Sequence, residues 1–331
     1  MMLVNSGNRL EKNMKIVVLD GQTLNPGDNP WTAIESLGDL TVYESTPPEL
    51  IIERLQGVDV VLTNKVVLDE EVFNRLPDLK FVSVTATGYN VVDIVAAQKH
   101  NILVSNIPVY GTDSVAQYTM ALLLELCHYV GHHDLRVHEG GWKESGLWSF
   151  WDSPLVELSG KVIGLIGFGR IGARVGQLAN AFGMEVWAYA PSPKANPAYE
   201  PFQFRTVEDI FSGADVVSLH CPQTETNIKF VDSNLFSKMK EDSFFINTAR
   251  GGLVDEEALL NALKMGRPRA AATDVASNEP INNDNPLLSA PNLIITPHMA
   301  WASREARGRL MQMSAENIAA FSNGQPINIV S

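Results

Sequence analysis

The sequence predicts an α/β protein with two domains, each built on a doubly wound parallel sheet. Short β-rich runs alternate with helical patterns almost throughout, which is typical of parallel strands joined by helices. The 331 residues are many for one domain and suit two, and a hydrophobic content of 45% can fill two cores. The strands also fall into two series, separated by one long helical stretch.

The first series of strands lies in the first third of the chain. Residues 1–13 precede it and are expected to form a loose tail without the apolar core of a signal peptide. The predicted strands are KIVVLD, VDVVLT, KFVSVT and ILVSN. The helical patterns between them cover residues 47–56, 69–76 and 91–99.

A long helix is predicted over residues 111–130, with Asp113 or Ser114 as its N-cap. It leads into the second series, whose predicted strands are KVIGLIG, EVWAYA, DVVSLHC, SFFINTA, AAATDV and NLIITPH. Six strands with intervening helices indicate two βαβαβ halves, the arrangement of a complete dinucleotide-binding domain. A closing helix at about 303–322 follows and is expected to pack back on the first domain.

A glycine-rich turn follows the first strand of the second series. Gly167, Gly169 and Gly172 have the spacing G-x-G-x-x-G, between a strand and a helix, which is the context that this motif requires. The first glycine permits a tight turn, the second a close approach of pyrophosphate, and the third the packing of helix on strand. The alternative is that these glycines serve only the turn. The favoured prediction is a dinucleotide site at the amino end of the helix.

The other candidate cofactor-binding residues follow the strands of the second series, because ligands of open parallel sheets bind beyond the carboxyl ends of the strands. Together with the three glycines they are Phe168, Arg170, Ile171, Ala190, Ser192, His220, Cys221, Pro222, Thr248, Ala249, Arg250, Asp274, His298 and Ala300.

Three of the side chains at this edge suit the reduction of a 2-keto acid. Arg250 can grip a carboxylate with its planar guanidinium, and His298 can give a proton to the developing alkoxide. Glu279 beside the histidine would favour its protonated form. Each residue also has a plainer interpretation. Arg250 could pair with Asp255 or Glu256, His298 could be a hydrogen-bonded core or loop residue, and Glu279 could be a solvated loop acid.

Composition and charge disfavour several other functions. A net charge of −13 argues against nucleic acid or an anionic membrane as the main partner. The sequence contains no run of about 18 uncharged apolar residues, so no membrane span is expected. Two cysteines are too few for a disulfide framework and suit a reducing cytoplasm. His128, His132 and His133 have helical spacing but no acidic or cysteine partner at metal-ligand spacing, so no metal site is expected.

Several sequence blocks identify the chain as similar to the D-2-hydroxyacid dehydrogenase family over residues 14–331. The blocks are TATGYNVVD, GFGRIG, NTARGG, TDVASNEP and TPHMAWAS, in the order and spacing of that family. Four blocks together resemble the glycerate dehydrogenase (hydroxypyruvate reductase) branch of the family: LDGQTLNPGDNPW, VLTNK, SVAQYTMALLLEL and HMAW.

The resemblance implies a role for each matching residue. Arg250 would orient the substrate carboxylate and carbonyl, His298 would be the acid/base, and Glu279 would be its partner. Asp274 would hold the nicotinamide amide. The remaining expected substrate contacts are the backbone of Thr87 and Gly88 and a pocket wall formed by Trp301.

The resemblance also implies a domain organisation. A flavodoxin-like substrate-binding domain would comprise residues 14–109 plus 299–331, and a Rossmann dinucleotide-binding domain would comprise residues 110–298. Members of the family are generally homodimers, joined largely through the segment that corresponds to residues 111–158.

One departure from the family concerns the cofactor. An acidic residue usually follows the second strand of the dinucleotide domain, holds the adenine ribose of NAD and repels the 2′-phosphate of NADP. Ala190 stands there, followed by Ser192 and Lys194, so NAD is the expected cofactor with NADP tolerated. Alternatively, Pro191 and Pro193 turn Lys194 toward solvent and NAD preference survives through sterics.

The expected function is the reduction of hydroxypyruvate to D-glycerate, or of glyoxylate to glycolate, by a cytoplasmic enzyme. A 3-phosphoglycerate dehydrogenase-like enzyme is one alternative, although it would want more basic residues for the phosphate and often has a C-terminal regulatory domain. The other alternative is a nucleotide-sensing binding protein of the corepressor type. The absence of an extended basic tail disfavours that possibility.

Overall fold

A computed structural model describes residues 14–192 and 194–331 of the chain. The expected tail at 1–13 lies outside the described residues. The chain divides into two compact units. Unit 1 comprises the described residues up to Gly111 together with Ala302–Ser331, and unit 2 comprises Thr112–Trp301.

Unit 1 contains, among its described residues, a five-stranded parallel sheet in the order β2-β1-β3-β4-β5. Its strands are β1 (Lys15–Val18), β2 (Asp39–Val42), β3 (Val60–Thr63), β4 (Phe81–Val84) and β5 (Leu103–Ser105). Its first helices are α1 (Thr32–Glu35), α2 (Ile51–Leu55), α3 (Glu70–Asn74) and α4 (Ile94–Lys99). This strand order is that of the expected flavodoxin-like fold, which is therefore confirmed.

The central strands of unit 1 are buried on both faces, which explains why most of their residues are apolar. Val17, Val61 and Val82 face one core cluster, and Ile16 and Phe81 face the other. Strand β2 was not expected from the sequence. It is a four-residue edge strand with mostly exposed side chains, so it lacks the apolar signal of its neighbours.

Unit 2 contains, among its described residues, a seven-stranded parallel sheet in the order β12-β11-β10-β9-β6-β7-β8. Its strands are β6 (Val162–Ile166), β7 (Glu185–Tyr189), β8 (Phe202–Phe204), β9 (Val216–Leu219), β10 (Phe244–Asn247), β11 (Ala270–Thr273) and β12 (Leu293–Ile295). Its helices are α5 (Thr112–His128), α6 (Val130–His138), α7 (Gly141–Ser145), α8 (Arg170–Ala181), α9 (Val207–Gly213), α10 (Ser233–Lys238) and α11 (Glu256–Lys264). The six predicted strands are present. Strand β8 is additional, and it too is a short, partly exposed edge strand.

The long helix of unit 2 differs from its prediction in two respects. It begins at Thr112, so Asp113 and Ser114 lie in its first turn rather than at its N-cap. The Asp113 carboxylate pairs with Arg174 at 2.8 Å, and the Ser114 hydroxyl donates to the carbonyl of Ala300 at 2.7 Å. The helix ends at His128 because Tyr129 adopts a left-handed backbone with φ of +50°.

The closing helix α12 (Arg304–Ser322) begins after the N-cap Ser303 and belongs to unit 1. Its Arg307 makes a bidentate ion pair with Asp28, at 2.5 and 2.7 Å, and also donates to the carbonyl of Leu24. Ile318 packs against the unit 1 sheet. Within the described residues, no helix is long and apolar enough to cross a bilayer.

Short 3-10 helices complete the secondary structure. They are Gly21–Thr23, Pro48–Leu50, Glu225–Asn227, Gly251–Leu253 and Pro286–Ser289.

Candidate active site

The glycine-rich turn between β6 and α8 requires its first and third glycines. Gly167 has a φ of +105°, and a Cβ there would lie 2.6 Å from the backbone nitrogen of Cys221. A Cβ on Gly172 would overlap the carbonyl oxygen of Gly167. The turn is therefore pressed between the loop after β9 and the first turn of its own helix, and no other residue fits at either position.

The second glycine leaves open space at the amino end of α8. A Cβ on Gly169 would meet no atom within 4 Å. Gly169 precedes a 12-residue helix and has no side chain to cap its first turn, in which Arg170 and Ile171 lie. The free amide groups and the helix dipole favour an anion at such a position. The turn therefore fits the pyrophosphate of a dinucleotide.

Strands β6 and β9 are neighbours at the point where the sheet order reverses, which is where ligands bind in this class of fold. His220, Cys221 and Pro222 follow β9. Burial lowers the pKa of His220 to about 3, so its ring is neutral, and the ring bonds Ser218 at 2.9 Å. Burial also raises the pKa of the Cys221 thiol. This side of the cofactor site is therefore uncharged at neutral pH.

An open cleft of about 590 Å³ lies at the carboxyl ends of β7 and β8. It is lined by Tyr189, Ala190, Pro191, Ser192, Lys194, Phe204, Arg205, Thr206 and Asp209. Pro193 lies outside the described residues. Two cations therefore line the place where Ala190 replaces the usual acid.

The sequence interpretation did not single out Arg205. This residue directly follows β8, the edge strand that was missed, so its place at the carboxyl end of the sheet was not recognised. The Arg205 guanidinium lies 5.0 Å from the ring centroid of Trp187, and it donates to Gln203 at 2.5 Å. The signal in the sequence that could have identified Arg205 is a basic residue directly after a strand.

His298 and Glu279 form a close pair. The Nδ1 atom of His298 lies 2.6 Å from a carboxylate oxygen of Glu279, and about a quarter of the histidine side chain is exposed. Because Nδ1 faces Glu279, Nε2 is the nitrogen that remains for a substrate. The backbone of His298 is left-handed, with φ of +52°, and its amide donates to the carbonyl of Asp274 at 2.8 Å. Backbone strain of this kind is concentrated at functional sites.

Asp274 holds the turn that carries the histidine. Its buried carboxylate accepts hydrogen bonds from the hydroxyl of Thr296 at 2.7 Å and from the amides of Met299 and Ala300 at 2.9 and 2.8 Å. Burial raises the pKa of Asp274, and these hydrogen bonds oppose that rise. Sequence reasoning gave this residue a cofactor contact alone and missed its part in shaping the turn.

Arg250 is free to meet a ligand. Its guanidinium donates to the carbonyl of Ala249 at 2.7 Å, and its backbone carbonyl accepts from the side-chain amide of Asn247 at 2.9 Å. Asp255 caps α11, while Glu256 accepts hydrogen bonds from another loop. Among the described residues, no ion pair joins Arg250 to either acid. The interpretation of Arg250 as a surface partner of these acids is therefore wrong.

Thr248 and Ala249, which precede Arg250 in the loop after β10, make hydrogen bonds. The hydroxyl of Thr248 lies 3.0 Å from that of Thr119 in a buried contact, and Ala249 donates its amide to the side chain of Asn247. Arg250, Asp274 and His298 follow β10, β11 and β12, which are adjacent strands. Unit 2 thus gathers a cation, a histidine and its acidic partner at one sheet edge, as acid-assisted reduction of a keto acid requires.

The other predicted residues belong to different parts of the chain. Thr87 and Gly88 follow β4 in unit 1, where the Thr87 hydroxyl donates to the carbonyl of Ile107 at 2.9 Å. Trp301 is the last residue of unit 2 and is half-buried. His132 pairs with Asp152 at 2.8 Å. In the described part of the chain, no group of histidine, cysteine or acidic residues is arranged to hold a metal ion.

Comparisons with known proteins show the family of the chain. Residues 120–300 match the family model of the D-isomer specific 2-hydroxyacid dehydrogenase, NAD binding domain. A hydroxypyruvate reductase of Blautia hydrogenotrophica is 48% identical, over 96% of this chain and 100% of that protein. A glycerate dehydrogenase of Methylorubrum extorquens is 38% identical, over 96% of this chain and 98% of that protein.

A solved structure extends the similarity to the whole fold. The NADPH-dependent glyoxylate/hydroxypyruvate reductase of Sinorhizobium meliloti, in complex with NADP and malonate, superposes with a TM-score of 0.81. It is 27% identical, and the match covers 96% of this chain and 97% of that chain. From its matched domain, its relatives and its sheet-edge residues, the chain belongs to the D-isomer specific 2-hydroxyacid dehydrogenases.

Proposed function

We propose that this dehydrogenase reduces hydroxypyruvate to D-glycerate, and glyoxylate to glycolate. The observation that carries the proposal is the 2.6 Å pair of His298 and Glu279 at the sheet edge that also holds Arg250. The two relatives named a hydroxypyruvate reductase and a glycerate dehydrogenase support the substrate class.

The side chains divide the chemistry between them. A nicotinamide coenzyme held at the turn of Gly167, Gly169 and Gly172 would supply a hydride to the carbonyl carbon. Arg250 binds the substrate carboxylate through its planar guanidinium and so orients the carbonyl. The Nε2–H of His298 donates a proton to the carbonyl oxygen as negative charge develops there. Glu279 accepts from Nδ1, which fixes the ring orientation and stabilises the protonated imidazole by charge.

A substrate panel tests the proposal. Hydroxypyruvate, glyoxylate, pyruvate and 3-phosphohydroxypyruvate would each be supplied with NADH and NADPH, and the chirality of the product determined. We expect hydroxypyruvate or glyoxylate to have the highest kcat/KM and glycerate to be the D isomer. A preference for the phosphorylated acid would favour the 3-phosphoglycerate dehydrogenase alternative, and nucleotide binding without turnover would favour a sensor.

The cleft beside Ala190 supports the use of both coenzymes. Ser192, Lys194 and Arg205 offer a hydroxyl and two cations to a 2′-phosphate, while Asp209 is the acid that opposes them. We expect NADH to work and NADPH to be accepted, with less than about a hundredfold discrimination, or about 3 kcal/mol. The Sinorhizobium meliloti enzyme, which is NADPH-dependent, supports this expectation.

The two units are assigned the roles that the sequence suggests. Unit 2 binds the dinucleotide, and unit 1 contributes the substrate-binding backbone at Thr87 and Gly88. Trp301 limits the length of the substrate side chain. Alanine in place of Trp301 should therefore raise kcat/KM for longer 2-keto acids relative to hydroxypyruvate, and an unchanged ratio would contradict this role.

We also assign the protein a homodimeric state and a cytoplasmic location. Large apolar side chains are exposed along α6, α7 and the following loop, and Trp148 is 90% exposed. The others are Val130, Leu135, Val137, Trp142, Leu147, Trp151 and Leu155. Such a patch is typical of a protein interface. Sedimentation equilibrium should give twice the chain mass, and Trp148→Asp should lower the measured mass.

The cytoplasmic location is supported by the cysteines. The two unpaired cysteines suit a reducing compartment.

A further inference from the structure

We propose that Glu256 is a positioning residue for the pair of Glu279 and His298. It holds the loop 276–285 in place, so that the Glu279 carboxylate stays hydrogen-bonded to the His298 ring. The inference rests on the proposed roles of Glu279 and His298. It assigns a function to an acid that the sequence suggested only as an alternative partner of Arg250.

The Glu256 carboxylate ties both ends of the loop to helix α11. One oxygen accepts the amide of Ser277 at 2.7 Å, and the other accepts the hydroxyl of Ser277 at 2.8 Å. The second oxygen also accepts the side-chain amide of Asn285 at 2.9 Å. Three donors therefore converge on one half-buried carboxylate. Hydrogen bonds to a charged acceptor are stronger than neutral ones.

The restraint on the loop also fixes the position of Glu279. The amide of Ala276, adjacent to the Ser277 amide that Glu256 binds, donates to one oxygen of Glu279 at 3.2 Å. The other oxygen of Glu279 faces Nδ1 of His298 at 2.6 Å. Two carboxylates thus hold consecutive amides of one short segment. Displacing that segment would move Glu279 relative to the imidazole.

The segment around Ala276 also contacts the backbone that follows Arg250. A Cβ on Gly251 would overlap the carbonyl carbon of Ala276, so the two backbones are in direct contact. Glu256 lies a few residues further along the chain, in the first turn of α11, whose N-cap is Asp255. The segment is therefore in contact with Gly251 and hydrogen-bonded to Glu256. Both residues follow β10 shortly after Arg250 in the chain.

A general helix-dipole effect does not explain these contacts, and the chain offers a control for it. Glu257 is the next residue, lies in the same first turn and is exposed. Both glutamates stabilise the amino end of the helix by their charge. The three contacts to the loop belong to Glu256.

The first experiment measures the loop itself in the coenzyme-free protein. Hydrogen–deuterium exchange of peptides from 276–285 would be compared in Glu256→Gln, Glu257→Gln and the unchanged protein. Glutamine keeps the size but replaces one acceptor oxygen with a donor, so a loop donor loses its partner. We expect exchange to be roughly tenfold faster in E256Q, the equivalent of about 1.4 kcal/mol, and unchanged in E257Q. Equal exchange in all three would overturn the proposal, whatever the substrate.

The second experiment measures the pH dependence of kcat with the best 2-keto acid substrate. In the E256Q protein we expect kcat to fall about tenfold and its neutral-to-alkaline decline to move to lower pH, the same direction that we expect for E279Q. The coenzyme Kd should stay unchanged because the glycine turn is untouched. Glu279 pairs with His298 and Asp274 interacts with it by charge, and neither acid is altered in E256Q.

A double variant distinguishes positioning from mere stabilisation. Once Glu279 is glutamine, adding E256Q should shift the pH profile no further, because residues that act through one another are not additive. Additive shifts, or a normal pH profile in E256Q, would overturn the proposal. If His298→Ala leaves turnover intact, the proposed function fails instead, whereas normal His298 dependence with an insensitive E256Q refutes only the role of Glu256.

Discussion

Replacing Ala190 with aspartate should shift the coenzyme preference toward NADH by at least about tenfold, or 1.4 kcal/mol. The new carboxylate would lie in the cleft that Lys194 and Arg205 line, at the carboxyl end of β7. There it can accept hydrogen bonds from the ribose hydroxyls of NADH. It would also repel the 2′-phosphate of NADPH and neutralise part of the basic lining.

The magnitude follows from charge and distance. Two unit charges 4 Å apart interact by about 1 kcal/mol in water, and the cleft is open to solvent. A phosphate monoester carries about 1.5 to 2 negative charges at neutral pH. The repulsion is therefore about 1.5 to 2 kcal/mol, or roughly ten- to thirtyfold in the ratio of kcat/KM values.

The assay compares kcat/KM for NADH and NADPH at saturating hydroxypyruvate and fixed ionic strength. Ala190→Asn is the matched control, because it has nearly the size of aspartate without the charge. We expect A190D to change the ratio at least tenfold and A190N to change it much less. A protein that already rejects NADPH completely, or an A190D variant with unchanged preference, would refute the reasoning.

The remaining predictions concern catalysis and stability. Arg250→Lys keeps the charge but loses the planar fork, so kcat/KM should fall by about two decades, and near-normal activity would contradict a bidentate grip on the carboxylate. Glu279→Gln should move the pH profile of kcat to lower pH, because His298 loses a stabilising anion; an unchanged profile would show that the pair is uncoupled. The hydrogen-bonded Arg307 guanidinium lowers the pKa of Asp28. This stabilisation exists above the unfolded-state pKa and disappears as pH falls through the lower folded-state value, so Asp28→Asn should lower Tm at neutral pH and match the unchanged protein in acid.

The fold was largely predictable because its central strands are buried on both faces. Val61 of unit 1 and Phe245 of unit 2 lie in unbroken apolar runs, which indicate strands from the sequence alone. Strands β2 and β8 were not predicted, since an edge strand pairs on one side and exposes its side chains. Propensity alone gives such segments little signal.

The reactive groups of the site were predictable from their places at strand ends. His298 and Glu279 were expected to be partners, and they lie 2.6 Å apart. The supporting residues were not predictable in the same way. Arg205 depended on the missed strand, and the three contacts of Glu256 depend on how a loop folds back on α11. Such contacts join residues distant in sequence and leave no periodic pattern.

The most direct test of the central claim is the turnover of His298→Ala with hydroxypyruvate and NADH, measured beside NADH binding by fluorescence. Because His298 would be the proton donor, kcat should fall by about two to four decades while the Kd for NADH stays nearly constant. A variant with nearly normal kcat would contradict the account, because His298 would then be structural.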